Sequence, residues 1–426
     1  MKKLIFNTVI ARLLSTALNF FIALLIARHS GPAVKGDVTL IITTTWFLIF
    51  LSNILGGQVL VYLIPRGKLE ALIIPAYFWS ALIAVGGFSF LKLTNLTHAY
   101  HVPSIVVLSF LSAILGIHQT VLLGRKQIAK SNILQIIPLL IQLAGVLLCF
   151  YFLRISDAYA YIYASLVAYF ITLIISFLLI QRHIQLEGLK EIFAMKGLKE
   201  SFQFGLLFQL VEILQLFNLR YYFFQLDIQQ GSKYLGIFSI GISILEAVWI
   251  IPRSIATVHY VNTSNAADLK KEALRTVGLF KVSFILSGLA LFLIWLIPSQ
   301  LYTLVFGPGF TDVKHSIRFL FPGILVYCFP LVIGSFYLGS GKYKSLIISH
   351  LAGFASLVVF SWLLIPRYVM SGAGLAATIS FSISSGILLL LFLKEEKITF
   401  LSLLPNQNDF KLVIKYLKEG LHKIRA

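Results

Sequence analysis

Long apolar stretches separated by short polar segments run along the whole chain, and they predict its secondary structure. A transmembrane helix needs ~20 apolar residues to cross ~30 Å of hydrocarbon. Twelve stretches meet that requirement. The predicted spans are 8–28, 38–63, 70–91, 103–123, 131–153, 159–181, 203–225, 234–258, 276–298, 316–338, 345–366 and 372–393.

The composition agrees with this pattern. Of the 426 residues, 58% are hydrophobic and only 12% are charged, whereas a soluble globular chain averages roughly 25% charged residues. The chain is therefore predicted to be an integral membrane protein. Its two cysteines, Cys149 and Cys328, lie inside apolar stretches, which predicts neither a disulfide framework nor a metal cluster.

The count and spacing of the spans predict an all-α membrane protein built from two six-helix bundles. The segments "LLGRKQIAKSNI" after the fourth span and "YLGSGKYKSLII" after the tenth are similar, which favours parallel repeats around a central cavity. Such an architecture is typical of transporters. The predicted domains are an N-terminal lobe at 1–182, an amphipathic linker at 183–202, a C-terminal lobe at 203–394 and a basic amphipathic tail at 395–426.

The distribution of Lys and Arg predicts the orientation. If the N-terminus is cytoplasmic, the inside segments hold roughly three times as many basic residues as the outside segments, as the positive-inside rule requires. Both termini are therefore predicted to be cytoplasmic. The net charge of +19 is spread over short loops, which argues against a nucleic-acid partner. The basic tail is suited to anionic phospholipids.

Polar residues inside the spans form stripes along helix faces. An ionisable side chain in hydrocarbon costs ~2.5–3.5 kcal/mol, so such residues normally face a cavity or a partner. We therefore predict a polar lumen. The expected cargo-binding residues are Arg12, Asn19, Asn53, Gln209, Gln215, Arg220 and Arg253, and the expected ion-coupling residues are Glu212 and Glu246.

Each of these charges also has a structural interpretation. Arg12 and Arg253 lie near span ends, where an arginine often only anchors the helix. Arg220 stands beside two tyrosines and could be an interfacial anchor. A bridge between Glu246 and Arg220 is a further alternative to cargo binding or ion coupling.

The segment "YLGIFSIGISILEAVWIIPRSIATVHYVNTS" from Tyr234 resembles a signature of bacterial polysaccharide flippases, which carry lipid-linked oligosaccharides such as O-antigen units. The matching positions are Gly236, Glu246, Trp249, Pro252 and Ser254. That family belongs to the multidrug/oligosaccharidyl-lipid/polysaccharide exporter superfamily.

Two further segments extend the resemblance, and two positions depart from it. The opening "IARHSGPAVKGDVTLI" is similar at Arg28, Gly31, Pro32 and Gly36, and "FNLRYYF" matches at its Asn and Arg. Tyr222, however, stands where the family usually has an acid. Val261 stands near an expected proline.

The resemblance implies a function in surface polysaccharide and lipopolysaccharide biosynthesis. The expected cargo is an undecaprenyl-diphosphate-linked oligosaccharide, moved from the inner to the outer leaflet of the bacterial cytoplasmic membrane by alternating access. No cofactor is expected beyond H⁺ or Na⁺ coupling, and the missing acid at Tyr222 weakens the case for Na⁺. A polysaccharide polymerase and the chain-length machinery would be partners.

Two other functions stay open. A cation-coupled multidrug exporter would share the fold, but its often cationic cargoes fit poorly with several arginines in the spans. A membrane-embedded polysaccharide polymerase would be an enzyme with a large outer loop, and the predicted outer loops are short.

Overall fold

The computed structural model describes residues 2–57, 60, 64, 69–181 and 195–403. Within those ranges the chain is almost entirely helical and contains no strand. Apolar sequences in hydrocarbon must satisfy every backbone N–H and C=O internally, and a helix does so within a single segment.

Thirteen α-helices follow one another in the described ranges. They are α1 (Lys2–Gly56), α2 (Leu69–Thr94), α3 (Val102–Gly124), α4 (Ile128–Tyr151), α5 (Ala158–Ile180), α6 (Met195–Gln230), α7 (Ser232–Glu246), α8 (Ile250–Ser264), α9 (Leu269–Leu296), α10 (Ser299–Phe306), α11 (Val313–Val326), α12 (Cys328–Gly339) and α13 (Tyr343–Glu396). Short 3₁₀ turns lie at Ala99–His101, Ala247–Trp249, Pro308–Phe310 and Phe400–Leu403.

All twelve predicted spans fall on these helices. By length and composition, nine helical segments of the described chain are apolar enough to cross a membrane. The prediction of an all-α, multi-pass membrane protein is therefore confirmed. The end of the second predicted span, beyond residue 57, lies mostly outside the described residues.

Two of the long helices each contain two predicted spans and a sharp break between them. In α1 the break is at Gly31, whose φ is 80°. In α13 it is at Val369, whose φ is 50°. A positive φ interrupts the right-handed helix, so each break separates one span from the next.

One compact unit comprises Met1–Ile213, Gly231–Gly236 and Val305–Gly309. In it α1 packs on α2, α3 and α4, and α5 packs on α3 and α4. One of its apolar cores includes Ile26, Val38, Ile41, Leu108 and Ile162, all almost fully buried.

A close backbone contact in this unit joins residues that carried the family resemblance. Gly36 in α1 lies against the carbonyl oxygen of Ser232, and Gly236 in α7 lies against the carbonyl oxygen of Pro32. A Cβ atom at either glycine would overlap that oxygen. Small residues allow membrane helices to approach at backbone distance, which explains the need for glycine at both positions.

The other compact unit comprises Leu214–Gln230, Ile237–Leu304 and Phe310–Ala426. In it α12 packs on α8, α9 and α13, and α11 packs on α13. The two cysteines are buried and unpaired, Cys149 in the first unit and Cys328 in this one.

The predicted domain boundaries stay a prediction. Residues 182–194, which hold most of the expected linker, and residues 404–426, which hold most of the expected tail, lie outside the described residues.

Candidate functional site

An ion pair between two helices is the centre of the candidate site in the second unit. The Arg220 guanidinium of α6 donates from Nη1 to Glu246 Oε1 at 2.6 Å and from Nη2 to Glu246 Oε2 at 2.7 Å. Each side chain is only 14% exposed. This two-bond geometry is the strongest form of an Arg–carboxylate contact, and it confirms the bridge that the sequence left open as an alternative.

Aromatic and backbone groups hold the arginine in place. Arg220 Nη1 also donates to the Leu219 carbonyl at 2.9 Å, and the guanidinium carbon lies 5.3 Å from the centre of the Phe223 ring. Tyr222, the residue at the position where the family usually has an acid, is fully buried. Among the described residues, Arg220 has one carboxylate partner, Glu246 of the next helix.

The helix that carries Glu246 is interrupted immediately after it. α7 ends at Glu246, a 3₁₀ turn covers Ala247–Trp249, and α8 begins at Ile250 with Pro252 in its first turn. Proline has no N–H to donate, so it favours such an interruption. Polar side chains at a broken membrane helix are typical of binding sites in transporters.

Trp249 connects this interruption to a second one. Its indole Nε1 donates to the Ile324 carbonyl at 2.9 Å, in the last turn of α11. Carbonyls at a helix end lack an intrahelical partner, so the indole satisfies one of them. The Trp249 ring also lies 4.9 Å from the Tyr327 ring and 6.3 Å from the Phe381 ring, forming a rigid aromatic cluster beside the ion pair.

Arg253 extends the positive charge of this region. Its side chain is exposed, and its guanidinium carbon lies 5.4 Å from the centre of the Trp249 ring. A cation at this distance from an aromatic ring is attracted to it. Arg253 lies seven residues beyond Glu246 along the chain, and the second unit carries two of the predicted arginines and one predicted glutamate.

Asn218 is a buried residue of this unit that matched the family resemblance but was not among the expected cargo-binding residues. It is fully buried in α6. Its Oδ1 accepts a hydrogen bond from Ser380, and its Nδ2 lies against Gly353. The sequence signal was its match to the family pattern two residues before Arg220, which does not distinguish a packing role from a binding role.

The remaining predicted residues of α6 differ in how deeply their side chains are buried. Gln215 is half-buried, and Glu212, which belongs to the first unit, is half-buried as well. Gln209 is 3% exposed, and its Nε2 has no hydrogen-bond partner among the described residues.

The predicted residues on α1 are more accessible. Arg12 is exposed, and its side chain forms no ion pair or hydrogen bond within the part of the chain that the structure describes. Asn19 is exposed and donates to the Ser15 carbonyl at 2.8 Å. Asn53 is half-buried. Their roles in cargo binding stay predictions.

Lys35 is where the structure differs most from the sequence-based expectation. It falls between the predicted spans 8–28 and 38–63, which predicts a loop position, but its side chain is 5% exposed and lies in the helical segment that follows Gly31. Its Nζ donates to Thr39 Oγ1 at 2.8 Å. The helix continues almost without a loop after the break, which brings this lysine into the helix.

Comparisons with known proteins agree at the level of the fold. A multidrug resistance MATE family transporter of the MOP superfamily, in an inward-facing conformation, aligns with a TM-score of 0.72 over 90% of this chain and 94% of its own, at 14% identity. The MurJ lipid II flippase, in an inward closed conformation, aligns with a TM-score of 0.66 over 96% and 95%, at 16% identity. The chain has the fold of the MOP-superfamily transporters.

A third structure with this fold is a MOP-superfamily transporter from Pyrococcus furiosus, described as having a binding pocket of reverse polarity. It aligns with a TM-score of 0.67 over 93% of this chain and 96% of its own, at 15% identity. No protein-family model and no curated protein matches the sequence.

Proposed function

We propose that the chain moves an undecaprenyl-diphosphate-linked oligosaccharide from the inner to the outer leaflet of a bacterial cytoplasmic membrane by alternating access. The transporter fold supports the class of activity. The ion pair of Arg220 with Glu246 and the additional arginine at Arg253, beside Trp249, are the observation that carries the choice of an anionic cargo.

A diphosphate fits this group because guanidinium is planar and donates through a fork. Arg220 already uses that fork on the two oxygens of Glu246, and a phosphate offers a similar pair of oxygens. Cargo would therefore compete with Glu246 for Arg220. Arg253, exposed beside Trp249, would take a second phosphate oxygen.

The same exchange provides a means of coupling to an ion. A carboxylate that loses its cation in a poorly solvated position is costly, so the displaced Glu246 would take up H⁺ or bind Na⁺. Binding of cargo and of the ion would then favour one side of the alternating-access equilibrium together.

Export of cationic drugs is the alternative, and the TM-score of 0.72 to a multidrug transporter favours it. Its weakness is the site itself, because the carboxylate that would attract a cation is already paired with Arg220. The similar structures named above are all transporters, which leaves a polysaccharide polymerase with less support.

Complementation of a strain that lacks its oligosaccharide flippase tests the proposal. We expect the parent chain to restore surface polysaccharide. The double variant Arg220→Met/Glu246→Leu removes both charges without leaving either one unpaired, and we expect it to fail at equal membrane levels. Arg318→Met, which alters an exposed arginine of α11, is the matched control and should restore polysaccharide.

Each outcome decides a separate point. Rescue by the double variant would reduce the ion pair to a structural element and exclude it as the cargo site. Failure of the parent, with drug resistance gained instead, would favour the multidrug exporter.

A further inference from the structure

The buried ammonium group of Lys35 is an unusual charge in the first unit. The side chain is 5% exposed, and its Nζ uses one of its three N–H donors, on Thr39 Oγ1 at 2.8 Å. No ion pair of Lys35 occurs within the described ranges. A buried charge without a counter-ion is strongly unfavourable, so this position calls for an anion that the described residues do not supply.

The residues on the same face of α1 are polar as well. At ~100° per residue, Lys35, Thr39, Thr43 and Asn53 fall within about 80° of one another. We call these four residues the α1 polar stripe. Thr39 and Thr43 are buried, and Asn53 is half-buried.

Two threonine hydroxyls of the α1 polar stripe donate to backbone carbonyls of the same helix. Thr39 Oγ1 donates to the Lys35 carbonyl and Thr43 Oγ1 donates to the Thr39 carbonyl, each at 2.8 Å. Since a hydroxyl has one hydrogen, Thr43 Oγ1 uses it on the backbone and keeps its oxygen as an acceptor, while Thr39 Oγ1 already accepts from Lys35 Nζ. The stripe therefore has a cationic donor at Lys35 and a hydroxyl acceptor at Thr43.

We propose that Lys35 is a binding residue for a phosphate or diphosphate ester, with Thr43 accepting a hydrogen bond from a hydroxyl group of the same ligand. A sugar diphosphate carries both features, an anion and neighbouring hydroxyl donors. The inference rests on the proposed function for its preferred ligand, the diphosphate of the lipid-linked cargo. A phospholipid headgroup and free diphosphate share the same anionic chemistry.

Ligand-induced stabilisation of the purified full-length chain tests this site without requiring transport. The chain is placed in phosphatidylcholine nanodiscs, and its Tm is measured against increasing undecaprenyl diphosphate, inorganic diphosphate or phosphatidylglycerol. A ligand that binds only the native state raises the Tm. We expect undecaprenyl diphosphate to do so at the lowest concentration, and the other two probes show whether the lipid or the diphosphate alone is sufficient.

Lys35→Met is the decisive variant because it keeps the length of the side chain and removes the charge. Loss of a hydrogen bond to a charged group weakens binding roughly ten- to 100-fold, so we expect a shift of at least tenfold in the half-maximal concentration. Without ligand, the variant should be at least as stable as the parent. Lys92→Met, an exposed lysine of α2, should respond like the parent.

Two results would overturn the Lys35 site. One is an unchanged response of Lys35→Met to the probe that stabilises the parent, and the other is a parent that no probe stabilises. Both results would leave the flippase proposal to be decided by complementation. Conversely, binding that depends on Lys35 in a chain that fails to complement would support the anion site and contradict the proposed function.

Discussion

The two charges of the Arg220–Glu246 pair are each stabilised by the other, so they must be altered together as well as singly. Removing one partner of a buried ion pair typically costs about 3–5 kcal/mol, whereas replacing both by apolar residues is often neutral. We expect Arg220→Met to lower the free energy of unfolding by about that amount and Arg220→Met/Glu246→Leu to restore most of it. Unfolding of the purified chain in detergent measures both; equal losses in the two variants would contradict the pairing.

Trp249 provides a second test at the scale of a residue. Trp249→Phe keeps an aromatic ring but removes the indole N–H that bonds the Ile324 carbonyl. The Ile324 carbonyl would keep the Cys328 thiol, at 3.8 Å, as a weak donor. A poorly satisfied buried acceptor costs up to about 1–3 kcal/mol, so the Tm should fall. Trp295→Phe, at a position 47% exposed, serves as the control. Equal effects at the two positions would show that the hydrogen bond contributes nothing.

At this scale the sequence predicts residue types better than contacts. Arg220 and Glu246 were selected because charges are costly in apolar spans, but their pairing depends on how α6 and α7 are rotated against each other. A single sequence contains no such information. Lys35 was misplaced because the break at Gly31 was expected to be a loop, and a lysine in a loop gives no reason to expect burial.

At the scale of elements, the contact between α1 and the first turn of α7 makes a sharp prediction. Gly36→Ala or Gly236→Ala would place a methyl group on a carbonyl oxygen, and overpacking of this kind costs about 1–3 kcal/mol or more. Gly116→Ala in α3 meets open space and should be neutral or stabilising, since alanine is favoured over glycine in a helix.

Thermal unfolding of the three glycine variants in the same detergent compares them directly. Gly36→Ala or Gly236→Ala at parental stability would show that the two segments do not approach as closely as described.

The spans themselves were predictable from apolar length alone. The interruptions at Ala247–Trp249 and at Tyr327 were not, because an apolar stretch looks the same whether its helix is continuous or broken.

At the scale of the whole molecule, the distribution of basic residues predicts the orientation, which the fold by itself does not test. In a chain whose cysteines are replaced, Cys149→Ala/Cys328→Ala, the variant Lys92→Cys should react with a membrane-impermeant thiol reagent on intact cells. Lys270→Cys should react only after the cells are opened. Both lysines are exposed. The reverse labelling pattern would show that the termini are outside.

The central claim is that the chain moves a diphosphate-linked lipid between leaflets, and a flipping assay in proteoliposomes measures it most directly. A fluorescent undecaprenyl-diphosphate sugar is incorporated, and the fraction accessible to an impermeant quencher is followed over time. We predict that nearly all of the probe becomes accessible to the quencher with the parent chain. With Arg220→Met/Glu246→Leu at equal protein content, the accessible fraction should stay close to the share of probe that starts in the outer leaflet. A parent that exposes no more probe than protein-free liposomes would contradict the account.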